Sequence, residues 1–408
     1  MPQVSVVIST YNSAQFLPTT VESVLAQTFK DYELIVVDDG STDNTQQVLE
    51  PYQGRLKYIY QENKKYSRAR NTGIRAASGQ YVALLDSDDV WYPEKLAEQV
   101  AILEQHAEVT LIHCQAAYID ADGNPRRFQG KWIKGSHGDE TVITDVTRDL
   151  FFGTLVTTST AVLRRSTLDQ VGLFDDTHIH GEDWELWARM ASKGPFAYIP
   201  KPLVKYRIYG WQKILSVETL DDWLADQLKT METATACWKG DAHERDRLRA
   251  QGTATIYVRS ALSNFQLGCG PQGRERLEHA LTHNPELGRR ECLVELAVDR
   301  AKLIQAETGS YEQAQEFIQV FFDNLPRKAA QHKGAHKEAT SWLYVGSAFE
   351  QRDLGNLAAA RKLLVQGIRQ SPACLKNRGV LSLSAEAWLG KTMANTARRI
   401  GRKVIGQA

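Results

Sequence analysis

Val4-Ser5-Val6-Val7-Ile8-Ser9-Thr10, with Tyr32-Glu33-Leu34-Ile35-Val36-Val37 and Tyr81-Val82-Ala83-Leu84-Leu85 further on, decides the fold class. Each is a short apolar run rich in β-branched or large aliphatic residues, as expected of a strand covered on both faces. Between them lie stretches of helical periodicity. Thr19 to Gln27 carries Val21, Val24 and Leu25 on one face, a second helix runs to about Leu49, and Ser67 to Ala77 forms a third. Leu56 to Tyr60 reads as a strand, Pro93 to His106 as a helix with proline near its start, and Val109 to Ile119 as a further strand. Strand and helix in alternation predict a doubly wound parallel sheet.

Two of the strands end in acids: Asp38-Asp39 after the second, and Asp86-Ser87-Asp88-Asp89 after the fourth. The carboxyl edge of an open α/β sheet is where ligands bind, so both acid sets are expected to face one crevice. Clustered carboxylates repel each other. A hard divalent cation that also bridges a diphosphate would compensate them, and Arg68 and Arg70 lie close in sequence. The alternative for the acids is a solvated turn ahead of the helix at Pro93-Glu94-Lys95, and for the arginines a solvated helix face.

The chain has 408 residues, enough for two or three domains, and its 49 basic and 49 acidic residues balance. No global field recruits nucleic acid. Hydrophobic residues make up 42% and charged residues 24%, the composition of a soluble globular protein. Five scattered cysteines lack metal-ligand spacing and fit reduced thiols better than a disulfide framework. No apolar run approaches the roughly 20 residues of a membrane span. Met1-Pro2-Gln3 leads directly into a strand without the pattern of a signal peptide. A cytoplasmic protein is expected, possible contact with the inner face of a membrane included.

Six segments together resemble family-2 glycosyltransferases of the GT-A fold. They are Pro2 to Asn12, Leu25-Ala26-Gln27-Thr28, Val37-Asp38-Asp39-Gly40-Ser41-Thr42-Asp43, Gln61-Glu62-Asn63, Ala69-Arg70-Asn71-Thr72-Gly73 and Leu85-Asp86-Ser87-Asp88-Asp89. The resemblance covers roughly residues 1–215. It implies a GT-A-type doubly wound mixed sheet and a nucleotide-sugar donor, UDP-linked. Asp39 would then accept a hydrogen bond from the nucleobase, and Thr10 would line the same pocket. Asp86 and Asp88 would form the DXD motif, with Asp88 holding Mn2+ or Mg2+ and Asp86 near the ribose. Arg70 would assist on the phosphates. The chemistry agrees, because a metal on the diphosphate offsets charge that develops as the glycosidic bond breaks.

Phe152 to Thr160 is rich in small and hydroxyl residues, Ser159 to Leu163 reads as a strand, and Phe174-Asp175-Asp176 follows a short helix. Gly181-Glu182-Asp183-Trp184 then resembles the family's ED motif at a helix start, which implies that Asp183 is the general base of an inverting displacement. First-turn acids favoured by the helix dipole are the alternative. Leu186, Trp187 and Met190 read as core. His178 and His180 are expected on a surface loop. Many relatives carry Tyr-Arg-x-His where this chain has Tyr206-Arg207-Ile208-Tyr209, and tyrosine is a poor metal ligand at neutral pH.

Beyond about residue 220 the β-branched runs give way to helical patterning. Three segments place a glycine and a proline 17 residues apart: Gly268 to Pro285, Gly309 to Pro326 and Gly355 to Pro372. Each predicts a helix, a glycine turn, a second helix and a terminating proline, and together they resemble tetratricopeptide-like repeats. Such a stack offers a surface for acceptor or protein partner. Gly268-Cys269-Gly270-Pro271-Gln272-Gly273 matches a dinucleotide fingerprint but follows no strand, so it is rejected as a cofactor site. Trp388 to Ile405 reads as a basic amphipathic helix that caps the stack or lies on an anionic membrane.

The expected organisation is a transferase domain at 1–215, a linking helix at 216–245 and a helical repeat domain at 246–408. The expected activity is transfer of a sugar to a hydroxyl of a saccharide, lipid-linked or protein acceptor in cell-surface polysaccharide or glycoconjugate synthesis. Two alternatives remain at this point: a nucleotidyltransferase, and a repeat-based scaffold without turnover.

Overall fold

The structure is a computed structural model that describes residues 1–126, 140–208, 217–384 and 386–388. By internal contacts the chain divides into two units, Met1–Ile256 and Tyr257–Ala408.

In the first unit the elements run β1 (Val4–Thr10), α1 (Leu17–Leu25), β2 (Tyr32–Asp38), α2 (Thr45–Val48), β3 (Lys57–Tyr60), α3 (Tyr66–Ala76), β4 (Tyr81–Asp86) and β5 (Val90–Trp91). They continue with α4 (Lys95–Gln105), β6 (Leu111–Ile119), β7 (Val142–Thr144), β8 (Val162–Arg164), α5 (Arg165–Val171), α6 (Glu182–Ala191), β9 (Phe196–Arg207) and α7 (Val217–Cys237). Helix α8 (Ala242–Gln266) contains the break between the units. The helix expected as a linker coincides with α7, which packs on α6 within the first unit.

The sheet order is β3-β2-β1-β4-β8-β6-β9-β5, with β7 on β9. Strands β1 to β4 are parallel, as alternation with helices requires. Beyond β4 the all-parallel reading fails: β8 runs antiparallel to both β4 and β6. Among the described residues no α-helix lies between β6 and β8, unlike the helices that link the parallel strands. The sheet is therefore mixed, as the family resemblance implied.

Every residue of β1 is buried. On one face Val4, Val6 and Ile8 join Leu17, Val21 and Val24 of α1, and Leu96 and Leu103 of α4. On the other, Ile35 and Val37 of β2 meet Ala69 of α3. Each fully buried aliphatic side chain contributes about 1.5–3 kcal/mol. The packing on both faces holds the strand ends, and their acids, in fixed register.

The second unit is helical: the end of α8, then α9 (Gly270–His283), α10 (Arg290–Thr308), α11 (Tyr311–Asp323), α12 (His336–Asp353) and α13 (Leu357–Gln370). Gly268, Gly309 and Gly355 all have φ near the left-handed region, at +78°, +70° and +82°, and close α8, α10 and α12. Pro285 and Pro372 open short 3-10 turns after the partner helices, and Pro326 precedes another. Leu281, Phe317, Phe321, Phe322 and Leu343 belong to its core. The rejected fingerprint sits where α8 meets α9. Among the described residues no helix is long and apolar enough to cross a membrane. Tyr209 and nearly all of the basic terminal segment lie outside the described residues.

Candidate functional site

Register builds the site. Thr10 pairs with Asp38, Ser9 with Asp86, and Asp38 with Tyr60, so the carboxyl ends of β1, β2, β3 and β4 lie side by side. Both acid sets thus share one edge. Thr10 anchors its end of that edge through its carbonyl, which accepts the Asp39 N–H at 2.9 Å. Its buried hydroxyl has no hydrogen-bond partner among the described residues, so a polar group brought to it would gain a bond.

The two acids after β2 differ in setting. Asp38 accepts from the Tyr58 hydroxyl at 2.7 Å and the Ser41 N–H at 2.9 Å, a closed structural network. Asp39 accepts from Gln61 Nε2 at 2.6 Å and the Lys64 N–H at 3.0 Å, both on Oδ1. The Gln61-Glu62-Asn63 segment is therefore what orients Asp39.

After β4, the Asp86 N–H donates to Ser159 Oγ at 3.0 Å. Asp88 is partly exposed and its carbonyl accepts from Arg207 Nε at 2.9 Å. Asp89 is fully buried and accepts the Arg207 N–H at 2.8 Å, so the solvated-turn alternative fails there. Burial first, then the charges of Asp88 and Asp86, raise the Asp89 pKa well above the carboxylate range. Arg207 also donates to the carbonyls of Asp120 and Ala121, both at 2.8 Å, and so pins the acid turn from β9.

Arg70 projects from α3 with its side chain only 8% exposed. Nη2 meets Asp86 Oδ1 at 2.8 Å and Nη1 meets Glu182 Oε1 at 2.5 Å. Burial opposes its charge, but the two carboxylates outweigh that and raise its pKa further. Arg68, by contrast, is exposed and paired with Asp176 at 2.8 Å. Asp183 follows Glu182 on the first turn of α6. Its Oδ1 accepts the Trp184 N–H at 2.6 Å, and Thr158 Oγ1 lies 3.3 Å from Oδ2. Asp183 is partly exposed, yet the protein packed around its carboxyl excludes most of its water. That desolvation, then the neighbouring Glu182 charge, pushes its pKa up to about 7 against the pull of Arg70.

Helix α6 is anchored by Trp184, Leu186, Trp187 and Met190, all buried. Its approach is held from α7: Asp226 accepts the N–H groups of Ile179 and His180 at 2.8 and 2.9 Å. Gly181 has φ +78°, and a Cβ there would lie 2.4 Å from Gln227 Nε2. His178 is not a surface residue. It is 3% exposed, beside Asp175 and Thr230, because α7 covers the loop.

Among the described residues no group of three or more His, Cys, Asp or Glu could cage a metal ion. Asp86 and Asp88 are both partly exposed, so a cation at this edge would find one or two carboxylates and would need other oxygens to complete its shell. Glu182, Ser159, Gln61 and Arg207 were not singled out as site residues from sequence. The hydroxyl-rich run at 157–160 and the lone arginine ending β9 were the signals available for two of them.

Residues 5–171 match the family model described as Glycosyl transferase family 2. An uncharacterized glycosyltransferase of Nostoc sp. is 33% identical over 219 residues, which are 51% of this chain and 65% of that protein. The chain thus spans just under two thirds of that relative's length. An uncharacterized glycosyltransferase of Rickettsia typhi is 28% identical over 240 residues, 59% of this chain and 71% of that protein. The crystal structure of S. aureus TarS 1-349 in complex with UDP-GlcNAc is similar in fold, with a TM-score of 0.56 and 20% identity. It covers 78% of this chain and 90% of that one.

Proposed function

We propose that this chain, whose residues 5–171 match the glycosyl transferase family 2 model, is an inverting glycosyltransferase. The donor is a nucleotide-sugar, UDP-linked by analogy with the TarS complex. The acceptor is a hydroxyl of a saccharide, lipid-linked or protein substrate in cell-surface polysaccharide or glycoconjugate synthesis. The observation that supports this best is that a single guanidinium joins the acid-tipped strand β4 to the helix bearing Asp183, on the edge that also carries Thr10 and Asp39. Acids on the sheet edge and a raised-pKa carboxylate on the helix joined to it suit transfer between a diphosphate ester and a hydroxyl.

In this reading the nucleobase N–H donates to Asp39 Oδ2, the oxygen opposite the one that Gln61 orients, and Thr10 lines the pocket beside it. Asp86 faces the ribose. A divalent cation, Mn2+ or Mg2+, held by Asp88 and the donor phosphates, would offset charge on the departing diphosphate. Asp183 takes the proton of the acceptor hydroxyl as that oxygen bonds the anomeric carbon. The bond from this carbon to the diphosphate breaks on the opposite face, and its electron pair leaves with the nucleoside diphosphate. The helical second unit is tetratricopeptide-like in this reading and presents acceptor or partner. The enzyme works in the cytoplasm in this reading.

The nucleobase assignment is tested by Asp39→Ala. Calorimetric titration of UDP with Mn2+ is expected to show a loss of roughly 1–3 kcal/mol, the range for removing a buried hydrogen-bond partner. An unchanged affinity would move the base elsewhere.

The pH profile follows from Asp183, which must be ionised to act. With its pKa near 7, kcat/KM is expected to rise through about pH 7 and level off above it. Stability runs the other way. A carboxyl whose folded pKa is raised holds its proton more tightly when folded, so its contribution is lost as pH climbs from the ordinary range toward 7. A profile flat from pH 5 to 8 would remove Asp183 from the role.

A further inference from the structure

Arg70 deserves a task other than phosphate binding. Nη1 and Nη2, the ends that a diphosphate would need, each face a carboxylate, Glu182 from α6 and Asp86 from β4. The guanidinium also lies 5.5 Å from the centre of the Phe174 ring, which closes it in from the loop before α6. The next residue, Asn71, ties the same loop by two bonds, donating to the Phe174 carbonyl at 2.8 Å and accepting its N–H at 3.0 Å. Two successive residues of α3 thus grip the segment that leads into Glu182 and Asp183, while Arg70 also grips the strand that ends in the acids.

We propose that Arg70 is a positioning residue: it locks the helix start carrying Glu182 and Asp183 to the end of β4. The function of the clamp rests on the transferase reading above; its geometry does not. A bidentate guanidinium can hold two carboxylates at a fixed separation, whereas an ammonium is a point charge that cannot bridge them with the same direction.

The groups that face Asp183 set the expected signs. Glu182 precedes it on α6 and raises its pKa, Arg70 on α3 lowers it, and Asp86 at the end of β4 raises it. Tyr206 on β9 feels the Asp183 charge, and Thr158 offers a hydroxyl. Tyr66, one turn before Arg70, feels Asp86 and Glu182. Removing the positive partner should therefore move the Asp183 titration up, and removing the negative one should move it down.

The experiment is a titration of carbon-13-labelled aspartate carboxyls in the full-length protein, with Asp183 assigned by its loss in Asp183→Asn. Arg70→Gln is expected to raise the Asp183 midpoint by about one pH unit or more, and Glu182→Gln to lower it by a similar amount. With Mn2+, UDP affinity is expected to stay within about threefold in Arg70→Gln, while kcat on UDP-GlcNAc drops about tenfold or more and Arg70→Lys fails to restore it. If Arg70→Gln does not fold, Glu182→Gln alone decides, because it leaves the Arg70–Asp86 pair intact. Asp183 midpoints unmoved in the variants that fold would overturn the clamp. So would a loss of UDP affinity with kcat unchanged, the signature of a phosphate ligand. The titration needs no donor, so a protein inert toward UDP-GlcNAc would count against the transferase reading while the midpoints still judge the clamp.

Discussion

Replacing Asp183 by Asn is expected to cut transfer by about 10²-fold or more while leaving UDP affinity within a few-fold. The substitution keeps shape and both positions of hydrogen bonding, so the Trp184 N–H at 2.6 Å and the Thr158 hydroxyl keep a partner. What it removes is the proton acceptor. It also removes one of several crowded charges, so the variant should melt no lower than the parent and should become less sensitive to pH near 7. Rates measured at saturating UDP-sugar, beside calorimetry of UDP, separate the two effects. A variant that keeps transfer within a few-fold of the parent would take the base away from Asp183.

The second large effect is expected at Asp88. Asp88→Asn, or removal of divalent cations with a chelator, should weaken UDP binding by about tenfold or more, because a diphosphate brought to Asp86, Asp88 and Asp89 without a cation meets like charge. Asp88 is partly exposed and so open to a cation, whereas Asp89 is buried against Arg207. The chelator and the substitution should not add, since both remove the same bridge. Equal affinity with and without Mn2+, in parent and variant alike, would place the diphosphate away from these acids.

The sequence carried β1, β2 and β4 well because each is a largely apolar, buried run, and helices separate the first four strands. Val4–Thr10 is bounded where the β-branched run is, and the register that sets Thr10 against Asp38 follows from parallel pairing. The strand expected from Ser159 begins instead at Val162, because Thr158–Thr160 closes a 3-10 turn in which the Thr160 N–H reaches the Thr157 carbonyl. Three residues of β8 are too few to announce an antiparallel direction. The site was legible as residue types at strand ends, not as partners. Arg70 and Glu182 are 112 residues apart, and only the path of α3, β4 and α6 brings them together. His178 misled for a similar reason: its burial depends on α7, which no local pattern near residue 178 reveals.

The most direct measurement of the central claim, that this sheet edge binds a nucleotide-sugar, is the melting temperature of the full-length chain against a panel of nucleotide-sugars, each with and without Mn2+. At a hundred times Kd a ligand adds about 2.7 kcal/mol of stability, a shift of several degrees. At least one UDP-sugar is expected to give that shift, only with the cation, and to lose most of it in Asp39→Ala. No shift with any nucleotide-sugar, or a shift indifferent to both Mn2+ and Asp39→Ala, would contradict it.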